Sequence, residues 1–288
     1  MELLKNQNYE VKPLNLQVTV TVPSDARAIV IAGPLKPVTA DEVTVIGNYL
    51  HDNPGSALIV LLDPAVQTQS NPTDPEPLVD YLDSTWGVRL RQDLIIDPAS
   101  SLTNRPTFVL NASYGDSEIT RKVQRIVSVF FNARSVVISD TAQALPNLVS
   151  TPLAQTSDQA WGETDIKGLE QGVSPAPGEG DAKGPLTLGV AVENSKLKAR
   201  LVVFGDSDFA SNVAPSQSAD ALLFLNSVNW ATVEESLINL TSKTPTARSL
   251  KLVDNTTTIV IGLCTVGGLP VLVLVLGAVV WFQRRRHG

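Results

Sequence analysis

Three short apolar runs constrain this chain more than any other feature. Residues 28–32 read AIVIA and stop at Gly33-Pro34, and 57–62 read ALIVLL and stop at Asp63-Pro64. The third, 200–204, reads RLVVF and stops at Gly205-Asp206-Ser207-Asp208. None shows the apolar–polar alternation of a half-exposed strand. Continuous runs of this kind read as strands buried on both faces, the pattern of a parallel sheet covered by helices.

What lies between the runs fits that reading. Thr39 and Glu42 have the spacing of a capping box, in which each side chain serves the other's backbone N–H. The helix they start carries Val43, Ile46, Tyr49 and Leu50 on one face. A second helix is expected over 76–86, before Gly87. Strands are expected at 9–14, 88–90, 94–96, 107–110 (short enough for an edge) and 135–139. Runs 187–192 and 200–204 flank the polar turn Glu193-Asn194-Ser195-Lys196, which suggests a meander or hairpin. Residues 219–233 are apolar on nearly all sides and read as a helix inside the fold. Segment 161–185 holds six glycines and three prolines and reads as an exposed Pro/Gly-rich loop. Strands alternating with helices predict an α/β domain over 1–240 with a mainly parallel sheet.

The last stretch is of another kind. Residues 259–282 form a 24-residue run without a formal charge, from Ile259 through Pro270 to Trp281 and Phe282. A helix of that length, at ~1.5 Å per residue, would cross a ~30 Å hydrocarbon core. Arg284, Arg285 and Arg286 follow at once, and Trp281 stands where an interfacial aromatic belongs. The pattern predicts a transmembrane helix over 259–282, a polar tether over 241–258 and a basic tail over 283–288. The positive-inside bias assigns that tail to the cytoplasm and the bulk of the chain to the extracytoplasmic side of the cell membrane. The opening MELLKNQ is neither a signal peptide nor a span. Either the topology is inverted, or the chain is the C-terminal portion of a longer protein.

Charge and cysteine content narrow the function classes. Setting the three arginines aside leaves 19 of the 22 basic residues against 29 acidic ones, a balance of −10. So acidic a domain is not a nucleic-acid binder, because phosphate contacts need clustered Lys and Arg. The single cysteine, Cys264, lies in the apolar run and excludes an intrachain disulfide. With two histidines, His51 and His287, no metal cluster is expected. There is no Walker A motif and no Gly-x-Ser-x-Gly elbow. Gly178-Glu-Gly180-Asp-Ala-Lys-Gly184 has no buried strand before it to aim a phosphate cradle. The expectation is no catalytic residue, no metal and no cofactor.

The most site-like residues stand where the three apolar runs end. In open α/β sheets ligands bind outside the carboxyl ends of the strands. Gly33, Asp63, Gly205, Asp206 and Asp208 would share one rim if their strands are parallel neighbours. Such carboxylates could hold a cation or polarise a substrate. They could equally cap backbone N–H groups in tight turns, with Phe209 folded back onto the core.

The strings NYEVKPLNL (8–16), VPSDARAIVIAGP (22–34), DEVTVIGNYL (41–50), ALIVLLDP (57–64), LDSTWGVRLRQDLIIDP (82–98), ARLVVFGDSDFASN (199–212) and FLNSVNWA (224–231) follow in order. Their order and spacing resemble the gliding-motility-type ABC-transporter auxiliary proteins, the ABC-type uncharacterised transport system family. The resemblance implies an extracytoplasmic α/β domain with a flavodoxin-like or glutamine-amidotransferase-like fold and no known catalytic residues. It also implies a membrane span and a further domain before this region, which supports the expectation that the chain is a C-terminal portion. On this basis the chain is expected to be a membrane-anchored, non-catalytic accessory subunit, with an ABC permease and an ATP-binding ATPase subunit as partners and the lipid bilayer as its support. The alternative is a surface glycan- or peptide-binding module using the strand-end rim. A carboxylate-pair hydrolase is a third reading, and it lacks an evident nucleophile.

Overall fold

The computed structural model describes residues 2–64, 75–100, 105–211 and 218–232, together with Trp281 and Arg285. The chain divides into two compact units, Met1–Leu240 and Thr241–Gly288. In chain order the first unit runs α1 (Glu2–Lys5), β1 (Ala28–Ala32), α2 (Ala40–Asp52), β2 (Ala57–Leu61), α3 (Pro77–Trp86), β3 (Val88–Leu90) and β4 (Leu94–Ile96). Next come β5 (Phe108–Leu110), β6 (Ser113–Tyr114), β7 (Val129–Phe131), β8 (Val136–Ile138), α4 (Asp140–Ala144), β9 (Leu148–Gln155) and β10 (Trp161–Glu163). The series closes with α5 (Ile166–Glu170), β11 (Ala182–Lys183), β12 (Thr187–Asn194), β13 (Ala199–Phe204) and α6 (Ala219–Ala231).

A six-stranded sheet, ordered β1-β2-β13-β12-β9-β6, forms the centre of this unit. The first three strands are parallel. Residues of alternate parity on β2 and β13 enter different cores. Leu58, Val60, Leu201 and Val203 pack with α2 and α3, whereas Ile59, Leu61, Val202 and Phe204 pack with α6. That two-sided cover is why these strands read as continuous apolar runs.

The sheet is mixed, which corrects the expected mainly parallel, flavodoxin-like or amidotransferase-like α/β arrangement. Strands β12 and β13 pair antiparallel, as do β12 with β9 and β6 with β9. The remaining small sheets, β11-β10-β4, β3-β8 and β5-β7, are antiparallel throughout. The cause is the turn at 195–198, which joins β12 to β13 directly. So short a connection can only reverse the strand, since parallel neighbours need a crossover of a dozen or more residues.

Helices α2, α3 and α6 follow the sequence closely. Thr39 caps α2 through a complete capping box, and Val43, Ile46, Tyr49 and Leu50 are its buried residues. Helix α6 is buried nearly all round and begins at Ser218, whose side chain accepts from the Ala221 N–H. Two expectations fail locally. Residues 9–14 form no strand; the Tyr9 hydroxyl instead donates to Asn229 Oδ1 at 2.8 Å. The expected loop at 161–185 contains β10, α5 and β11, because Trp161 and Glu163 are buried where β10 pairs with β4.

The expected membrane-spanning helix over 259–282 falls, apart from Trp281, outside the described residues. No helix among the described residues is long and apolar enough to cross a membrane. Residues 259–280 and 282 lie outside the described residues, as do the tether at 241–258 and Arg284 and Arg286. In the second unit the Arg285 guanidinium lies 5.2 Å from the centroid of the Trp281 ring, a cation–π contact.

Candidate functional site at the strand-end rim

Register brings the rim together. Ala32 and Phe204 both pair with Leu61, so β1, β2 and β13 end in one row. The residues that follow are Gly33, Leu62 and Gly205, and then the acidic turns. Gly33 donates its N–H to the Leu61 carbonyl at 3.0 Å and adopts φ +55°, a left-handed conformation that favours glycine. A Cβ there would stand 2.6 Å from Ser207 Oγ and 3.3 Å from Asp63 Oδ2. Gly205 is equally constrained. A Cβ there would fall 1.8 Å from the Arg134 carbonyl oxygen, and the Arg134 N–H donates to the Gly205 carbonyl at 2.8 Å.

Two of the three rim carboxylates, Asp63 and Asp206, have a donor on each oxygen. Asp63 accepts from the Ser207 N–H at 2.6 Å and from the Ser207 hydroxyl at 2.7 Å, one bond to each oxygen. Asp206 is 0% exposed. Its Oδ2 accepts from the Phe131 N–H and its Oδ1 from the Asp208 N–H, both at 2.7 Å. Burial pushes the Asp206 carboxyl well above the usual carboxylate range, against those two hydrogen bonds, and the charges of Asp63 and Asp208 push the same way. Asp208 is exposed overall, yet partial desolvation and then the charge of Asp63 raise its carboxyl too.

Asp206 does structural work in this arrangement. It ties the end of β13 to β7, and that tie brings three aromatic rings together. Phe209 is buried against Phe204, with centroids 4.7 Å apart, and against Phe130 at 5.2 Å. A carboxyl buried this deeply, with a backbone donor on each oxygen, cannot meet a substrate as a general acid or base.

The Asp63–Ser207 pair is one of a set that sequence reasoning missed. Asp93 accepts from the Ser135 N–H at 2.8 Å and its hydroxyl at 2.6 Å. Asp97 accepts from the Ser157 N–H at 2.9 Å and its hydroxyl at 2.7 Å. Asp181 accepts from the Thr164 N–H at 3.0 Å and its hydroxyl at 2.7 Å. Asp181 is pushed up by desolvation, but the hydroxyl of Thr164 and the N–H groups of Gly178 and Thr164 outweigh that and hold it below the usual carboxylate range. Each clamp joins segments distant in sequence. Only Asp63 and Asp97 left a local signal, each being followed by a proline that favours a turn.

A half-buried ion pair backs the rim. Arg134 is 1% exposed and meets Glu76 in a two-pronged contact at 3.1 and 3.2 Å. Its Nε donates to the Arg91 carbonyl at 2.7 Å. Beside this network, next to Pro64, a cleft of about 150 Å3 opens between Gln92, Asp93 and Lys167. It is smaller than the ~300–1,000 Å3 of ordinary small-molecule pockets. Among the described residues, no group of three or more His, Cys, Asp or Glu side chains could hold a metal ion.

Comparison with known proteins gives the chain a setting. No curated protein matches it. The solved mmIFT52 N-terminal domain is similar over 80% of this chain and 88% of that one, with a TM-score of 0.54 and 14% identity. That likeness concerns the fold alone. The sequence comparison reaches further, because the family described as ABC-type uncharacterized transport system matches residues 1–227. With most of its 288 residues covered, and in agreement with the ordered strings around the three strand ends, the chain belongs to that ABC-type transport-system family.

Proposed function

We propose that the chain is a non-catalytic accessory component of an ABC-type transport system, working at the membrane beside a permease and an ATPase that binds the nucleotide. Its mixed α/β unit is the part that engages partner proteins, and the resemblance supports an extracytoplasmic position for it. One observation carries the non-catalytic reading: of the three rim carboxylates, Asp63 and Asp206 are spent on Ser207, Phe131 and the Asp208 N–H, so no open carboxylate pair is left for a hydrolase. Carboxylates satisfied in this way rigidify a surface. A rigid surface suits recognition by a partner protein, since little ordering entropy is lost on binding. Family membership supports the transport setting.

Affinity isolation of the full chain from gently solubilised membranes tests this reading. The expected result is recovery of an ABC permease and an ATPase. Recovery of neither, with the chain itself intact, would overturn it.

A further inference from the structure

The outer edge of β1 is open. It is the terminal strand of the six-stranded sheet, and no described backbone group other than those of β2 pairs with it. Open edges offer a row of free N–H and C=O groups, and natural proteins guard them with Lys, Pro, bulges or brevity. Residues 28–32 carry no such guard. Val30, at the centre of the strand, is 41% exposed. The opposite edge, β6, is only two residues long.

The sequence of this edge is a palindrome, Ala28-Ile29-Val30-Ile31-Ala32. If it pairs antiparallel with itself about Val30, like meets like: Val30 faces Val30, Ile29 faces Ile31 and Ala28 faces Ala32. Such a contact is isologous, the ordinary form of a twofold dimer. Matched β-branched residues are favourable cross-strand neighbours. One step beyond the strand, the same register sets Arg27 opposite Gly33. Arg27 is exposed, and its side chain has no hydrogen bond or ion pair among the described residues. Gly33 has no side chain to cover Asp63, whose Oδ2 lies 3.3 Å from where a Cβ would stand. Asp208 adds negative charge beside it. The acidic rim at the end of β1 in one copy therefore complements the free guanidinium at the start of β1 in the other, twice across the twofold axis.

We infer that β1 is a self-pairing edge, through which two copies of this chain join their sheets antiparallel about Val30, with Arg27 of each copy against the Asp63 rim of the other. The inference is independent of the transport partners, because either could be present without the other.

Disulfide trapping in the full chain tests it. Replacing Cys264 by Ser removes the only native thiol. In that background Val30→Cys sets two thiols opposite each other across the axis. Directly opposed strand residues are ~4.5–5.5 Å apart between Cα atoms, within disulfide reach. The control is Val149→Cys, 62% exposed on β9 of the same sheet. The expected result is a disulfide dimer from Val30→Cys and none from the control. Adding Arg27→Glu should slow trapping by roughly tenfold at low salt, as expected when a steering charge pair is reversed. Trapping at Val30 no faster than at Val149 would overturn the pairing. Trapping indifferent to Arg27→Glu would overturn the register.

Discussion

Asp206 shows how a residue that looks reactive becomes structural. Its two oxygens hold the Phe131 and Asp208 N–H groups, and an amide could accept only one of them. Asp206→Asn is therefore expected to destabilise the fold by about 1–3 kcal/mol, the cost of a buried donor left unpaired. Urea unfolding measures it. The effect should depend on pH. The folded-state pKa of Asp206 is raised, so the folded chain holds this proton more tightly than the unfolded chain does. That contribution is fully present below the unfolded value of ~3.9 and is lost as pH rises through the folded value. The stability gap between wild type and Asp206→Asn should therefore shrink as pH rises from mildly acidic to neutral. A gap that widened over that range would contradict the protonation argument. Positions 33, 63, 205, 206 and 208 were legible in sequence because each ends or follows an apolar run. Their partners were not. Ser207 lies 144 residues from Asp63, and Ser135 lies 42 from Asp93. Only the folded sheet brings such pairs together.

Elements declared themselves in proportion to their local signals. Helix α2 was readable from its capping box and its single apolar face, and both are realised. Removing the cap with Thr39→Ala should cost about 1 kcal/mol, visible as a lower thermal midpoint. An unchanged midpoint would mean that the Thr39 side chain contributes nothing. Strands β1, β2 and β13 were readable from their continuous apolar runs. The antiparallel pairing of β12 with β13 was readable from the polar turn between them, which suggested a meander or hairpin, whereas the antiparallel strands beyond β12 were not. Strand β9 gave little warning, because Pro152 sits within it, beside a register irregularity in its pairing with β12. Strands such as β7, three residues long, are too short to show a period at all. Strand β10, in a stretch rich in glycine and proline, draws its order from pairing with both β4 and β11.

For the whole molecule, the average charge of −7 conceals the separation between an acidic α/β unit and a terminal arginine cluster. The mixed sheet, covered on both faces, leaves two features outward: a rim on which Asp63 and Asp206 are tied down, and the unguarded edge of β1. Both suit contact with proteins better than chemistry on a small substrate. In the function proposed above, this chain serves an ATP-driven transport machine without performing its chemistry. ATP hydrolysis by material isolated through this chain tests that claim most directly. ATPase activity is expected in complexes isolated through the full chain from membranes, and none in the chain purified alone. Hydrolysis by the chain alone, or no ATPase activity in any isolate that retains the intact chain, would contradict it.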